Sequence, residues 1–151
     1  MKRAMVIGAV GAGKSTLIKA LFGDAGPAAK TQSLVFRDWL IDTPGEYSEN
    51  PMYYRSLMVT AHEAAVVLMV QDAVRRRNYF PPGFALGFPV PVIGAITKID
   101  HPDADAGNAI RLLRQSLPEA DIVLTSSATG EGIAALRDKL QSLIHQPKKH
   151  K

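Results

Sequence analysis

Gly8, Gly11, Gly13, Lys14 and Ser15 stand in the run Gly8-Ala9-Val10-Gly11-Ala12-Gly13-Lys14-Ser15, which fits the spacing G-x-x-x-x-G-K-[ST] at every fixed position. The chemistry open to such a run is the holding of a polyphosphate. Its glycines let consecutive N–H groups curl around an anion without Cβ clashes. Lys14 would bring an ammonium to the β- and γ-phosphates, and the Ser15 hydroxyl would fill one Mg²⁺ position. The pattern has meaning only between a strand and a helix. Ala4-Met5-Val6-Ile7 reads as a buried strand, and Thr16 to Phe22 places apolar residues at helical spacing. That helix would point its positive dipole end at the same anion. A glycine-rich turn that binds nothing is the bland alternative; the lysine, the hydroxyl and both flanking elements argue against it. The expected ligand is a nucleoside triphosphate with Mg²⁺, touched by Gly8, Gly11, Ala12, Gly13, Lys14, Ser15 and Thr16.

Three further runs bring polar groups to comparable places. Trp39-Leu40-Ile41 reads as a strand delivering Asp42-Thr43-Pro44-Gly45 at its carboxyl end. Val92 to Ile96 reads as another, ending in Thr97-Lys98-Ile99-Asp100, and Asp121 to Leu124 leads into Thr125-Ser126-Ser127-Ala128. Ligands of α/β sheets bind beyond the carboxyl ends of strands. A carboxylate at Asp42 can hold Mg²⁺ through a water, and Gly45 can offer its N–H to a γ-phosphate. D-x-x-G alone is a common turn; its position directly after an apolar strand gives it weight.

These loops need a scaffold, and the rest of the chain reads as one. Ala64 to Val70 is the most continuous apolar run and fits a central parallel strand; Leu34-Val35-Phe36 is a further strand-like run. Helices are expected from about Met52 to His62 with Pro51 in the first turn, from Asp103 to Leu117, and from Ile133 through Leu143. Gly23 to Pro27 ends the first helix and opens a loop holding Lys30-Thr31-Gln32, while Glu46 to Asn50 is a polar stretch. Between Asp72 and Pro91 a crossover helix is due, but the prolines permit only a short one. The alternation predicts an α/β fold, a three-layer sandwich with a mostly parallel central sheet.

At 151 residues, 46% hydrophobic and 21% charged, the chain suits one globular domain. We expect it to span 1–144, with 145–151 a basic, solvated and disordered tail. The formal charge of +4 owes most to Lys148, Lys149 and Lys151 in that tail. The body is close to neutral, which argues against a nucleic-acid-binding face. The absence of cysteine excludes disulfides and thiolate metal sites. With no signal-peptide pattern at the start, a cytoplasmic location is expected. The longest uncharged run, Asn78 to Thr97, is broken by four prolines and three glycines and does not suit a membrane helix.

Taken in order, the four strand-end motifs resemble those of the small Ras-like GTPase domain across essentially the whole chain. The resemblance implies that Asp100 accepts from the guanine N1–H and exocyclic amine and that the Lys98 stem lies along the base. A backbone N–H around Ser126, Ser127 and Ala128 would reach O6. Thr97 stands where asparagine is more usual. Thr31 is implied as the switch threonine that closes on Mg²⁺, with Ser15 and Asp42 completing the protein's share of the metal site.

Lys30-Thr31-Gln32, Ile41-Asp42-Thr43-Pro44-Gly45-Glu46-Tyr47, the Met1-Lys2-Arg3 start and the length resemble, more narrowly, the EutP/PduV family of ethanolamine- and propanediol-utilisation operons. Membership implies a cytosolic protein linked to bacterial microcompartments, with a shell or operon protein as partner. Members have been described as nucleotide-binding proteins and, for EutP, as an acetate kinase. No residue pattern in this chain marks an acetate pocket.

Two positions depart from the Ras-like pattern. Val10 replaces a glycine beside the γ-phosphate, and Glu46 takes the place of the water-positioning glutamine. An ionised glutamate is repelled by phosphate and has no amide to donate. Lys14, Thr31 and Glu46 are therefore the residues on which catalysis would turn, and slow intrinsic hydrolysis is expected. The readings open are a slow GTPase or switch taking GTP (or ATP), an ATP-dependent acetate kinase, and a docking protein shaped by its nucleotide. Arg75-Arg76-Arg77 reads as a solvated loop ahead of a phosphate or partner contact. Tyr79 to Phe88 is either a docking patch or a cover for the sheet. His62 and His101 lack second ligands at metal spacing, and Glu63, Asp103 and Asp105 read as helix-end carboxylates.

Overall fold

The structure is a computed structural model, and residues 2–23, 34–75, 78 and 80–146 are described, with 35 and 36 as backbone only. Thr31, Arg76, Arg77, Tyr79 and the basic tail beyond Gln146 lie outside the described residues.

Among those residues six strands form one sheet in the order β2-β3-β1-β4-β5-β6. The strands are β1 Arg3–Gly8, β2 Val35–Arg37, β3 Leu40–Asp42, β4 Ala64–Asp72, β5 Val92–Thr97 and β6 Ile122–Leu124. All neighbours run parallel except β2, which pairs antiparallel with β3. The central β1 and β4 are apolar on both faces because helices cover both. On one side Met5, Ile7, Val67 and Met69 pack with Leu57, Leu113 and Leu117. On the other, Val6, Val66, Leu68 and Val70 pack with Leu17, Leu21, Leu136 and Leu140. The first layer holds α3 Tyr54–Thr60 and α4 Ala106–Ser116, and the second α1 Lys14–Phe22 and α5 Ile133–Ile144. The three-layer sandwich is realised.

Two segments differ from the expected pattern. Glu46 to Asn50 is not merely polar: Gly45–Glu49 winds into a short helix, α2, after Pro44 at its N-cap. Its Ser48 is fully buried and accepts from the Gly8 N–H at 3.1 Å. The single helix expected over 52–62 is three pieces, with 3₁₀ turns at Pro51–Tyr53 and Ala61–Glu63 flanking α3. Asn50 starts it by accepting from Met52 N–H at 3.0 Å, which fixes a tight first turn.

Between β4 and β5 the described residues contain only a 3₁₀ turn, Phe84–Gly87. Phe80, Phe84 and Phe88 do the covering instead, packed ring to ring at 5.6 and 5.4 Å. Asn78 bolts the loop to α4 by donating to Leu112 O and Ser116 Oγ at 2.8 and 2.7 Å. This segment covers the sheet, with Leu86 left outside.

Candidate nucleotide site

All four motifs emerge at the carboxyl edge of the sheet. Gly8 ends β1 and pairs with Val70 on β4, so the loop that follows rises over the middle of the sheet. Gly11 and Gly13 have φ of +83° and +84°, the left-handed region that a side chain strains to enter. Gly13 is the N-cap of α1, and no side chain caps it. The first-turn N–H groups of Lys14, Ser15 and Thr16 thus lack an intrahelical acceptor. This is a concave set of donors with a dipole behind it, the arrangement an anion fits.

Lys14 is buried and its ammonium pairs with the Asp42 carboxylate at the end of β3. The lysine of the first motif and the carboxylate of the second therefore meet over the same loop. The Ser15 hydroxyl and the Asp42 carboxylate, here paired with Lys14, are hard oxygen donors that could take a divalent cation. Among the described residues no cluster of three or more His, Asp or Glu could hold a metal by itself. Such a sparse donor set suits Mg²⁺, which keeps waters and substrate phosphates in most of its shell. Bound there, Mg²⁺ would neutralise phosphate charge.

The third motif is tied directly to the first. Thr97, buried at the end of β5, donates its hydroxyl to Ala12 O at 2.6 Å, and Lys98 Nζ donates to Gly11 O at 2.9 Å. Lys98 sits at φ +61°, unusual for a residue with a side chain, and that turn aims its stem back across the loop. Asp100 is exposed, with one carboxylate oxygen accepting from Ser126 Oγ at 2.7 Å. The fourth motif thereby orients the third. Ser126 is itself fixed by its loop, accepting from Thr129 N–H at 3.1 Å. Ser127 is half-buried and Ala128 exposed on the same turn.

Beyond the loop, Gly45 is pressed against Val10: a Cβ there would lie 2.7 Å from Val10 N and 2.8 Å from its Cγ2. The valine fills the gap between the phosphate loop and the start of α2, and Glu46 points outward in the first turn of that helix, exposed.

The chain belongs to the PduV-EutP family. The family model, described as ethanolamine utilisation – propanediol utilisation, matches residues 1–142. The chain is 36% identical over 148 residues to the probable acetate kinase EutP of Escherichia coli K12, covering 97% of this chain and 93% of that one. It is 42% identical over 100 residues to the propanediol utilization protein PduV of Citrobacter freundii, 66% of this chain and 67% of the relative. Among solved structures it resembles a probable GTP-binding protein engB, with a TM-score of 0.70, 19% identity and coverage of 96% and 99%. A Roco2 fragment of Methanosarcina barkeri matches at a TM-score of 0.58 and 19% identity, over 94% of this chain and 48% of that one. These likenesses show the fold alone, the α/β sandwich that this chain shares with those two structures.

In this PduV-EutP chain, sequence reasoning passed over Ser48 and the Asp72–Arg75 pair, and it misjudged Arg75 as solvated. Arg75 is half-buried; its guanidinium bonds Val10 O and pairs with the buried Asp72 through Nε at 3.2 Å. The available signal was Asp72 closing the most apolar strand, a strand end like those at which the four motifs begin. No described helix is long and apolar enough to cross a membrane.

Proposed function

We propose that this PduV-EutP chain binds a nucleoside triphosphate with Mg²⁺, prefers guanine, and acts as a slow NTPase or nucleotide switch serving an ethanolamine- or propanediol-utilisation microcompartment in the cytoplasm. One observation carries this reading: the Thr97–Asp100 turn is hydrogen-bonded onto the Gly8–Ser15 loop and to Ser126, which sets the candidate base-reading residues beside the candidate phosphate-holding ones. In this reading Gly8, Gly11, Ala12, Gly13, Lys14, Ser15, Thr16 and Gly45 hold the phosphates. Thr97, Lys98, Asp100, Ser126, Ser127 and Ala128 frame the base. Ser15, Asp42 and Thr31 hold Mg²⁺, and Lys14, Glu46 and Thr31 govern turnover. Ras-like turnover uses an amide to orient water, and an exposed glutamate at 46 offers none. In this reading the domain proper is residues 1–144, with α5 its last element.

A second reading is favoured by the full-length match to a relative named a probable acetate kinase. There an acetate oxygen would attack the γ-phosphorus of ATP, giving acetyl phosphate and ADP. The two readings part on base preference. Titration with GTP, GDP, ATP and ADP, with and without Mg²⁺, decides: a guanine preference that depends on Mg²⁺ supports the first. A preference for ATP, together with acetyl phosphate appearing when acetate is added, overturns it in favour of the second.

A further inference from the structure

Three consecutive carbonyls of the phosphate loop are each held by a side chain from elsewhere: Val10 O by Arg75, Gly11 O by Lys98 and Ala12 O by Thr97. A trans peptide points its C=O and the following N–H in opposite directions. Pulling these carbonyls away from the loop therefore turns the N–H groups of Gly11, Ala12 and Gly13 toward its inside. The Ala12 N–H is spent within the loop, on Ala9 O at 3.0 Å. Lys98 and Thr97 belong to the third motif. Arg75 belongs to none of the four.

We propose that Arg75, clamped by Asp72, is a positioning residue for the phosphate loop: it sets the Val10–Gly11 peptide so that the Gly11 N–H faces the γ end of a bound triphosphate. This rests on the reading of residues 8–15 as a phosphate loop. The clamp is built rather than incidental. Asp72 Oδ1 accepts from the N–H groups of Val74 and Arg75 at 2.9 and 2.6 Å, and its Oδ2 takes the guanidinium. One buried carboxylate thus shapes the turn and aims the arginine. Asp72 also sits opposite Thr97 in the β4–β5 register, so the struts leave facing positions on adjacent strands.

The far end is equally close-fitting. A Cβ on Gly11 would lie 2.8 Å from Arg75 Nη2, so a side chain there would push the guanidinium aside, besides straining the φ. Position along the ligand follows from Gly45. Val10 is the loop residue against which Gly45 packs, and Gly45 is the group read as reaching the γ-phosphate. The Arg75 strut therefore acts at the γ end, whereas Thr97 and Lys98 act nearer the base.

The test measures affinity for non-hydrolysable triphosphate and for diphosphate, of guanosine and adenosine, with Mg²⁺. The proteins are wild type, Arg75→Ala, Arg75→Lys, Asp72→Asn and Lys14→Ala. An ¹⁵N–¹H spectrum follows the Gly11 amide in each ligand-free protein. Arg75→Ala should weaken triphosphate binding about ten-fold, the effect of one lost oriented donor, and diphosphate binding about three-fold or less. It should also shift the Gly11 amide. Arg75→Lys should recover part of the loss. Asp72→Asn, which keeps an acceptor for the turn but loses the ion pair, should fall between. A merely structural arginine would lower both affinities equally and gain nothing from lysine, and that pattern overturns the proposal. So does wild-type affinity in Arg75→Ala when Lys14→Ala has lost binding; the phosphate-loop reading then stands without the strut. If wild type and Lys14→Ala alike fail to bind any nucleotide, the underlying reading falls and the proposal with it.

Discussion

The contact between Gly45 and Val10 gives the sharpest structural prediction, because its steric consequence can be worked through. Gly45 is not in the left-handed region, so alanine suits its backbone and would reduce unfolded-state entropy, worth about 0.4 to 1 kcal/mol. Against this, the new methyl would lie 2.7, 2.8 and 2.9 Å from Val10 N, Cγ2 and Cα. Two of those are backbone atoms, which cannot rotate aside. The loop and α2 must part, at an overpacking cost of about 1 to 3 kcal/mol. Gly45→Ala should therefore be destabilising by about 1 to 2 kcal/mol net, lowering the urea midpoint by about 0.5 to 1 M for an m-value of about 2 kcal/mol/M. It should also weaken triphosphate binding. Gly107→Ala is the control: it lies in the first turn of α4, and its new Cβ would meet only Asp105 Oδ1, at 3.7 Å. That change should stabilise by roughly 0.5 to 1 kcal/mol. Adding Val10→Gly to Gly45→Ala removes one of the three contacts and should restore only part of the loss. A Gly45→Ala midpoint at or above wild type would refute the packing of the phosphate loop on α2.

Other consequences can be checked with the same preparations. Lys14→Ala should abolish measurable triphosphate binding with the fold intact by circular dichroism, because it removes the ammonium that Asp42 holds in the loop. Asp100→Ala or Asn should erase a preference for GTP over ATP worth roughly 2 to 3 kcal/mol, read by competition titration. Thr97→Val should destabilise by about 1 to 3 kcal/mol in urea, since Ala12 O would be left buried without its donor. In single-turnover assays wild-type hydrolysis should not exceed roughly 10⁻⁴ to 10⁻² s⁻¹, and neither Glu46→Gln nor Val10→Gly should lower it. Loss of most activity in Glu46→Gln would instead make Glu46 a general base.

The parts of this chain that were legible in its sequence are those governed by local rules. Apolar runs at Ala4–Ile7 and Ala64–Val70 read as buried strands and are strands in β1 and β4, and Gly8 to Ser15 fits the phosphate-loop spacing at every fixed position. The helices at 106–116 and 133–144 followed from periodicity. What escaped depended on tertiary contacts. Glu46 to Asn50 looks polar because its buried member is Ser48, whose burial is stabilised by a hydrogen bond from Gly8 rather than by apolar contact. Arg75 looks like part of a solvated basic run, since nothing local reveals an acceptor at Val10 across the sheet edge. The prolines told against a full crossover helix between β4 and β5, and the sequence allowed Tyr79 to Phe88 as a cover for the sheet; what it did not show is which rings do the covering, Phe80 stacked on Phe84 and Phe88 edge-on to it.

The Thr97 departure, which reads in sequence as a weakened motif, acquires a physical reason in three dimensions. Its β-branched side chain suits the last residue of a buried strand, and its short hydroxyl spans to Ala12 O only because β5 ends hard against the loop. A Cβ on Gly13 would sit 3.0 Å from Thr97 Oγ1 and 3.5 Å from Lys98 Cε. Glycine at 13 thus serves twice, once for its φ and once to leave room for the Thr97–Lys98 turn. Threonine at 97 and glycine at 13 are two halves of one contact, in which a longer side chain would have less room. The Thr97–Asp100 turn and the Gly8–Ser15 loop are consequently joined by the buried Thr97–Ala12 hydrogen bond and by the Lys98–Gly11 bond beside it.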